Sequence, residues 1–197
     1  MRPSRGPQHL ALGLLVACLC ALGGCALPAI IADRVSSRGP KALYKPPPEP
    51  LLVVVERHED SGMEQDRADR LAALIEERLT RHRAAVVVDG GKLLTFRSST
   101  RPRNYEAMPA VAKGRAVGAA QVLEVLMRRC DAAPILGGES TATIVGSVRI
   151  IDCPSGSSRW LGEHEDRRAT FSGRTAGADA ALESFAESVC GMFHDGP

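Results

Sequence analysis

The stretch "LLVVVERHEDSGMEQDRADRLAALIEERLTRHRAAVVVDGG" (residues 51–91) decides the fold. Leu51 to Val55 is an unbroken apolar run rich in β-branched residues, the pattern of a buried strand. "HEDSG" follows as a loop. Ser61 and Glu64 then stand in S-x-x-E spacing, which predicts a capping box at a helix start. Ala68, Leu71, Leu74, Ile75 and Leu79 recur at intervals of three and four, so they share one face of a helix over Met63 to His82. Its other face is Asp, Glu and Arg, a solvated surface. "AAVVVD" (84–89) reads as a second buried strand, ended by a turn at Gly90-Gly91.

Past a polar stretch holding Arg101-Pro102-Arg103 and Asn104, "MPAVAKGRAVGAA" (108–120) reads as a shorter helix. Pro109 suits its first turn and Gly118 its carboxyl cap. "QVLEVLMRR" (121–129) and "TATIVGSVRIID" (141–152) read as strands, the second with Ala142, Ile144, Val148 and Ile150 on one face. "CPSGSS" is a turn, and "RWLGEHED" leads into a strand that pairs back. A last helix begins near Ala178, with Leu182, Phe185, Val189 and Phe193 as its buried stripe. The expected fold class is α/β, as a single mixed sheet of four to five strands with three helices, ordered β-α-β-α-β-β-α. A segment of roughly 150 residues is long enough to bury such a core.

Upstream of this domain the composition changes. Asp33 to Pro50 holds Pro40, Pro46, Pro47, Pro48 and Pro50, which favour extended polyproline geometry and act as a spacer. Residues 1–9 carry Arg2 and Arg5 and no acid, and Leu10 to Leu22 is uninterrupted and apolar. That run is too short to cross a bilayer and has the length of a signal-peptide core. Gly23 and Gly24 then precede Cys25. A second box, Leu15-Val16-Ala17-Cys18, is a rival with a shorter apolar run.

These residues resemble the bacterial lipoprotein signal. The resemblance implies removal of residues 1–24, lipidation of Cys25, and a lipidated linker over 25–50 ahead of a globular domain over 51–197. It also implies a cell-envelope location. Ala26 in place of Asp favours the outer membrane, with the domain facing the periplasm. Arg2 and Arg5 account for the formal charge of +2, because without them the 25 basic residues fall to equal the 23 acidic ones. A formally neutral mature chain lacks the basic surplus that nucleic-acid binding usually needs.

The run "VVVD" followed by "GRAVGAAQVLEV" resembles a group of bacterial envelope lipoproteins over roughly residues 43–190. The group includes the amino-terminal domain of the Tol-system translocation protein, the curli-secretion lipoprotein and the lipoprotein activators of penicillin-binding proteins. It implies the fold and carries several functions on it. Lys113 and Glu124 depart from the group's pattern, at positions that are commonly apolar and aromatic.

No catalytic constellation stands out, and no Gly-rich pattern has phosphate-loop spacing. His58-Glu59-Asp60 and His164-Glu165-Asp166 bring imidazole and carboxylates together, as a zinc site or an acid–base pair would. Neither has helical ligand spacing, and polar loops at strand ends are the plainer reading. Cys130, Cys153 and Cys190 remain in the domain. An oxidising compartment permits one disulfide, with Cys130–Cys153 as the pair that flanks consecutive strands, and buried free thiols as the alternative. Trp160 is the lone indole and reads as a packing residue. The expected function is a non-enzymatic, membrane-tethered protein without cofactor or resident metal, binding a protein or another envelope component. A metal-dependent envelope hydrolase and a structural subunit of an oligomer are the alternatives.

Overall fold

A computed structural model of the chain describes residues 41–135, 140–161 and 167–195. Within them lies one six-stranded mixed sheet. It is built from strands β1 (Pro50–Arg57), β2 (Val86–Val87), β3 (Gln121–Pro134), β4 (Ser140–Asp152), β5 (Ser158–Trp160) and β6 (Arg167–Thr175); helix α1 (Gln65–Arg81) joins β1 to β2, helices α2 (Gly90–Ser99), α3 (Pro102–Glu106) and α4 (Ala110–Ala116) lie between β2 and β3, and α5 (Ala178–Cys190) follows β6. The strand order is β2-β1-β3-β4-β5, and β6 also pairs with β4. Strands β2, β1 and β3 are parallel, while β4 runs antiparallel to β3, β5 and β6. The expected single mixed sheet is present, with more strands and helices than the sequence pattern resolved.

Helices cover both faces of β1, and this is why "LLVVV" is continuous rather than alternating. Leu51 and Val53 join the larger core with Ala68, Leu71, Ile75 and Leu79 of α1 and with Leu182, Phe185 and Val189 of α5. Leu52 and Val54 turn to the other face, where Ala110 of α4, Val122 and Cys153 complete a second core. The α1 stripe is as expected, with Leu74 only partly buried at its border. Ala142, Ile144, Val148 and Ile150 are buried together on β4. Phe193 is buried too, but beyond the end of α5. It meets Trp160 edge-on at 5.2 Å, and Trp160 stacks on Tyr44 at 5.8 Å, which confirms the indole as a packing residue.

Three local expectations are corrected. The capping box does not form: Glu64 is the N-cap of α1 and makes no side-chain cap bond, while Ser61 closes a short 3-10 turn over Glu59–Ser61. The strand expected over 84–89 shrinks to Val86 and Val87. Gly90-Gly91 is not a turn but the start of α2, capped by Asp89, whose carboxylate accepts from Gly91 N at 3.0 Å.

Two glycines shape α4. Gly118 adopts φ +76°, the left-handed geometry that ends the helix and feeds β3. Gly114 lies where α4 crosses the sheet. A Cβ there would sit 2.4 Å from Val122 Cγ2 and 2.8 Å from Cys153 Sγ.

The end of the proline-rich segment is fixed to the sheet. Gln121 is fully buried, and its amide donates to the carbonyls of Pro47 and Glu49, each at 3.1 Å. Ala42, Leu43 and Tyr44 donate backbone N–H groups to Asp195 Oδ1 and to Met192 O. No helix among the described residues is long and apolar enough to cross a membrane.

Candidate functional site

A groove of about 770 Å³ opens at the carboxyl end of β1. Its position follows from the topology. The connection through α1 places β2 on one side of β1, and the return through α2, α3 and α4 places β3 on the other. Such a reversal leaves a crevice outside the strand ends. Helix α1 forms one wall, α2 and α3 the facing wall, and β1 the floor.

One feature of the floor is unusual. Strand β2 pairs only with Pro50 and Leu51, and Val88 N then donates to Leu51 O at 2.8 Å. The main-chain groups of β1 alternate sides: Pro50 O faces β3, where it accepts from Ala120 N, and His58 N donates to Met127 O. Val53 and Val55 therefore direct their N–H and C=O groups to the side that β2 has vacated. Val53 is covered, whereas Val55 is partly exposed and lines the groove. The groove thus has a strand edge in its floor, a feature that receives extended peptides in other folds.

Charged pairs brace the walls. Arg97 of α2 grips Asp69 of α1 through two parallel bonds of 2.8 and 2.7 Å. Burial raises the Asp69 pKa, but the bonds from Arg97 and Gln65 and the nearby cations outweigh it, leaving the carboxylate below its ordinary range. Lys113 reaches up from α4 with its side chain 3% exposed and donates to Glu56 Oε1 at 2.6 Å. Its ammonium also lies 4.5 Å from the centre of the Tyr105 ring. Burial pushes the Tyr105 hydroxyl up to about 12, so it stays a neutral donor. The departure at Lys113 thus serves a buried ion pair, and Glu124 makes the corresponding pair with Arg149 across β3 and β4. Leu94 is 48% exposed at the rim.

Of the residues singled out from sequence, His58 and Glu59 line this groove. His58 is largely occupied in local structure: its Nδ1 accepts from Asp60 N at 3.4 Å and caps the 3-10 turn. His164, Glu165 and Asp166 lie outside the described residues, as do Cys18 and Cys25. The Cys130–Cys153 disulfide is not formed; both thiols are buried and free. The register explains it. Cys130 pairs with Ile144, whereas Cys153 lies one residue beyond Asp152, which pairs with Gln121. At ~3.3 Å per residue the two are roughly 30 Å apart, far beyond the ~7 Å limit between bridged Cα atoms. Asp69, Arg97 and Tyr105 escaped sequence reading because they come from three elements and share no spacing.

No protein-family model matches the chain, and no curated protein matches it in sequence. Comparison with solved structures finds one that shares its fold and others that resemble it more loosely. Lipoprotein GNA1162 from Neisseria meningitidis superposes with a TM-score of 0.50 at 16% identity, over 72% of this chain and 94% of that one. PelC, solved as a dodecamer from Paraburkholderia phytofirmans, gives 0.45 at 15% identity, over 79% and 94%. The LpoB C-terminal domain from Escherichia coli gives 0.41 at 15%, over 64% and 84%. The expected resemblance to domains carried by bacterial lipoproteins holds at the level of the fold.

Proposed function

We propose that this chain is a lipid-anchored protein of the bacterial cell envelope, whose α/β domain binds an extended segment of a protein partner in the groove beside β1 and catalyses no reaction. The observation that carries the reading is the strand edge at Val55, left open by the two-residue length of β2. A partner segment would pair its main chain with Val55 and rest apolar side chains against Leu93 and Leu94. Main-chain pairing would supply affinity, and the flanking side chains specificity.

Lipidation at Cys25 and placement in the outer membrane, facing the periplasm, rest on the signal sequence. The likeness to the Neisseria lipoprotein supports a lipoprotein domain. Four of the groove's ionisable groups, Asp69, Arg97, Glu56 and Lys113, are engaged in ion pairs across its walls, which supports binding over catalysis.

The test uses a photo-crosslinking residue in place of Leu94 in living cells, with Arg70, on the exposed side of α1, as the control position. A discrete protein adduct is expected from position 94 alone. It should disappear when Ala72→Trp fills the groove. An adduct that persists with the groove filled, or that forms equally from position 70, overturns the reading. Labelling with a palmitate analogue tests the anchor separately. Cys25→Ser should abolish the label, and Cys18→Ser should leave it.

A further inference from the structure

Away from the groove, the carboxyl ends of α1 and α5 meet. Arg78 and Glu187, in their last turns, form a 2.9 Å ion pair. Beyond the helix ends, His82 and His194 stack with ring centres 3.9 Å apart and planes 9° from parallel. One ligand atom from each of His82, Glu187 and His194 lies within 4.8 Å of the other two.

From this geometry we propose a transition-metal site, with Zn²⁺ as its ion, held by His82, Glu187 and His194. The group sits apart from the groove and does not depend on the function proposed for it.

The state of His194 carries the argument. The residue is only 9% exposed. Its Nδ1 lies 3.0 Å from the carbonyl of Asp195. A carbonyl accepts and never donates, so Nδ1 holds the proton, and in the neutral ring Nε2 presents a lone pair. That Nε2 is buried and has no hydrogen-bond partner. Imidazole fixed in one tautomer by a backbone carbonyl, with its other nitrogen unprotonated, is the usual arrangement of a metal-bound histidine.

The surrounding charge favours a cation. Both helices end here, so the negative ends of two helix dipoles converge. Glu187 uses Oε2 to accept from Arg78, leaving Oε1 for the ion. Two imidazoles and one carboxylate form the nitrogen-and-oxygen set that Zn²⁺ takes, with water in a fourth position. His82 is exposed, so its ring can turn out of the parallel stack, which aims its in-plane lone pair at the ion and brings ligand atoms now within 4.8 Å of one another to the ~3.4 Å set by tetrahedral bonds of about 2.1 Å.

The position gives the site a role. Met192 and Asp195, on either side of His194, are the acceptors that hold Ala42, Leu43 and Tyr44. A bound ion would fasten the carboxyl-terminal segment to α1 and α5, and with it the point where the proline-rich segment joins the domain.

The experiment is a zinc titration of the full chain in detergent micelles against a chromophoric chelator, repeated with Co²⁺ to read ligand-field absorption. One ion per chain is expected for the wild type and for His58→Ala. His82→Ala and His194→Ala should each weaken binding by more than about 100-fold, since loss of mere outer-shell partners costs 10- to 100-fold. The exposed His82 variant guards against a folding defect in the buried His194 variant. Absence of stoichiometric binding by the wild type, or unchanged binding by His82→Ala, overturns the proposal.

Discussion

Buried charge is the feature that single residues disclose best. Lys113 and Glu56 form an ion pair with little access to water, so removing one partner strands the other. Glu56→Ala is expected to destabilise the domain by about 3–5 kcal/mol, because the ammonium of Lys113 stays buried without compensation. Glu77→Ala breaks the exposed pair with Arg81 and should cost at most about 0.5 kcal/mol. Urea denaturation of both variants provides the comparison. Glu76 makes a different prediction. Burial raises its pKa from 4.5 to about 7, with the Asp89 charge adding to this and a bond from the Gly90 amide opposing it. Folding therefore favours the protonated form. This contribution is complete below about pH 4.5 and is lost as the pH rises through about 7, a change on the order of 1–3 kcal/mol. Measured between about pH 5 and pH 8, Glu76→Gln should flatten the pH dependence that the wild type shows.

Elements differed in how far the sequence exposed them. Helix α1 was legible because Ala68, Leu71, Ile75 and Leu79 all bury one stripe. Helix α2 was not: none of its residues is buried, so no periodic pattern marks it, and its glycine start imitates a turn. The signal that could have found it is Asp89, an N-cap residue read instead as a strand end. Strand β2 was overestimated because Val88 is apolar for a different reason, as part of the second core. The groove was illegible for the same cause, since it exists where β2 stops short and α2 begins. Helix α4 was legible from Pro109 and Gly118, but the need for Gly114 appears only in the packing. Gly114→Ala drives a methyl group into Val122 and Cys153 and should cost about 1–3 kcal/mol by overpacking, read as a lowered melting temperature. A methyl group at Gly118 would meet no atom within 4 Å, so alanine there encounters only backbone strain.

At the scale of the molecule, stability comes from two cores on opposite faces of one sheet rather than from covalent links. Cys130 belongs to the larger core and Cys153 to the smaller. Burial raises the pKa of each, and that of Cys190 to about 12. A reducing agent is therefore expected to leave the melting temperature unchanged, and thiol reagents to label these three positions only on unfolding. A reducible melting transition would contradict the free-thiol structure. The larger core depends on Phe185, fully buried between the sheet and α1. Phe185→Ala should cost about 3–5 kcal/mol and bring the whole domain down together.

The attachment of residues 42–44 beside the end of α5 has a mechanical meaning. Were the chain moored by its amino terminus, as proposed above, a drifting partner would pull the domain through that end. Tension arriving along the chain meets the bonds of Ala42, Leu43 and Tyr44 before it reaches β1, and Gln121 grips the carbonyls of Pro47 and Glu49 behind them. These contacts would then act as strain relief, spreading the load over the carboxyl-terminal segment and β3 and sparing β1 from being sheared out of the sheet.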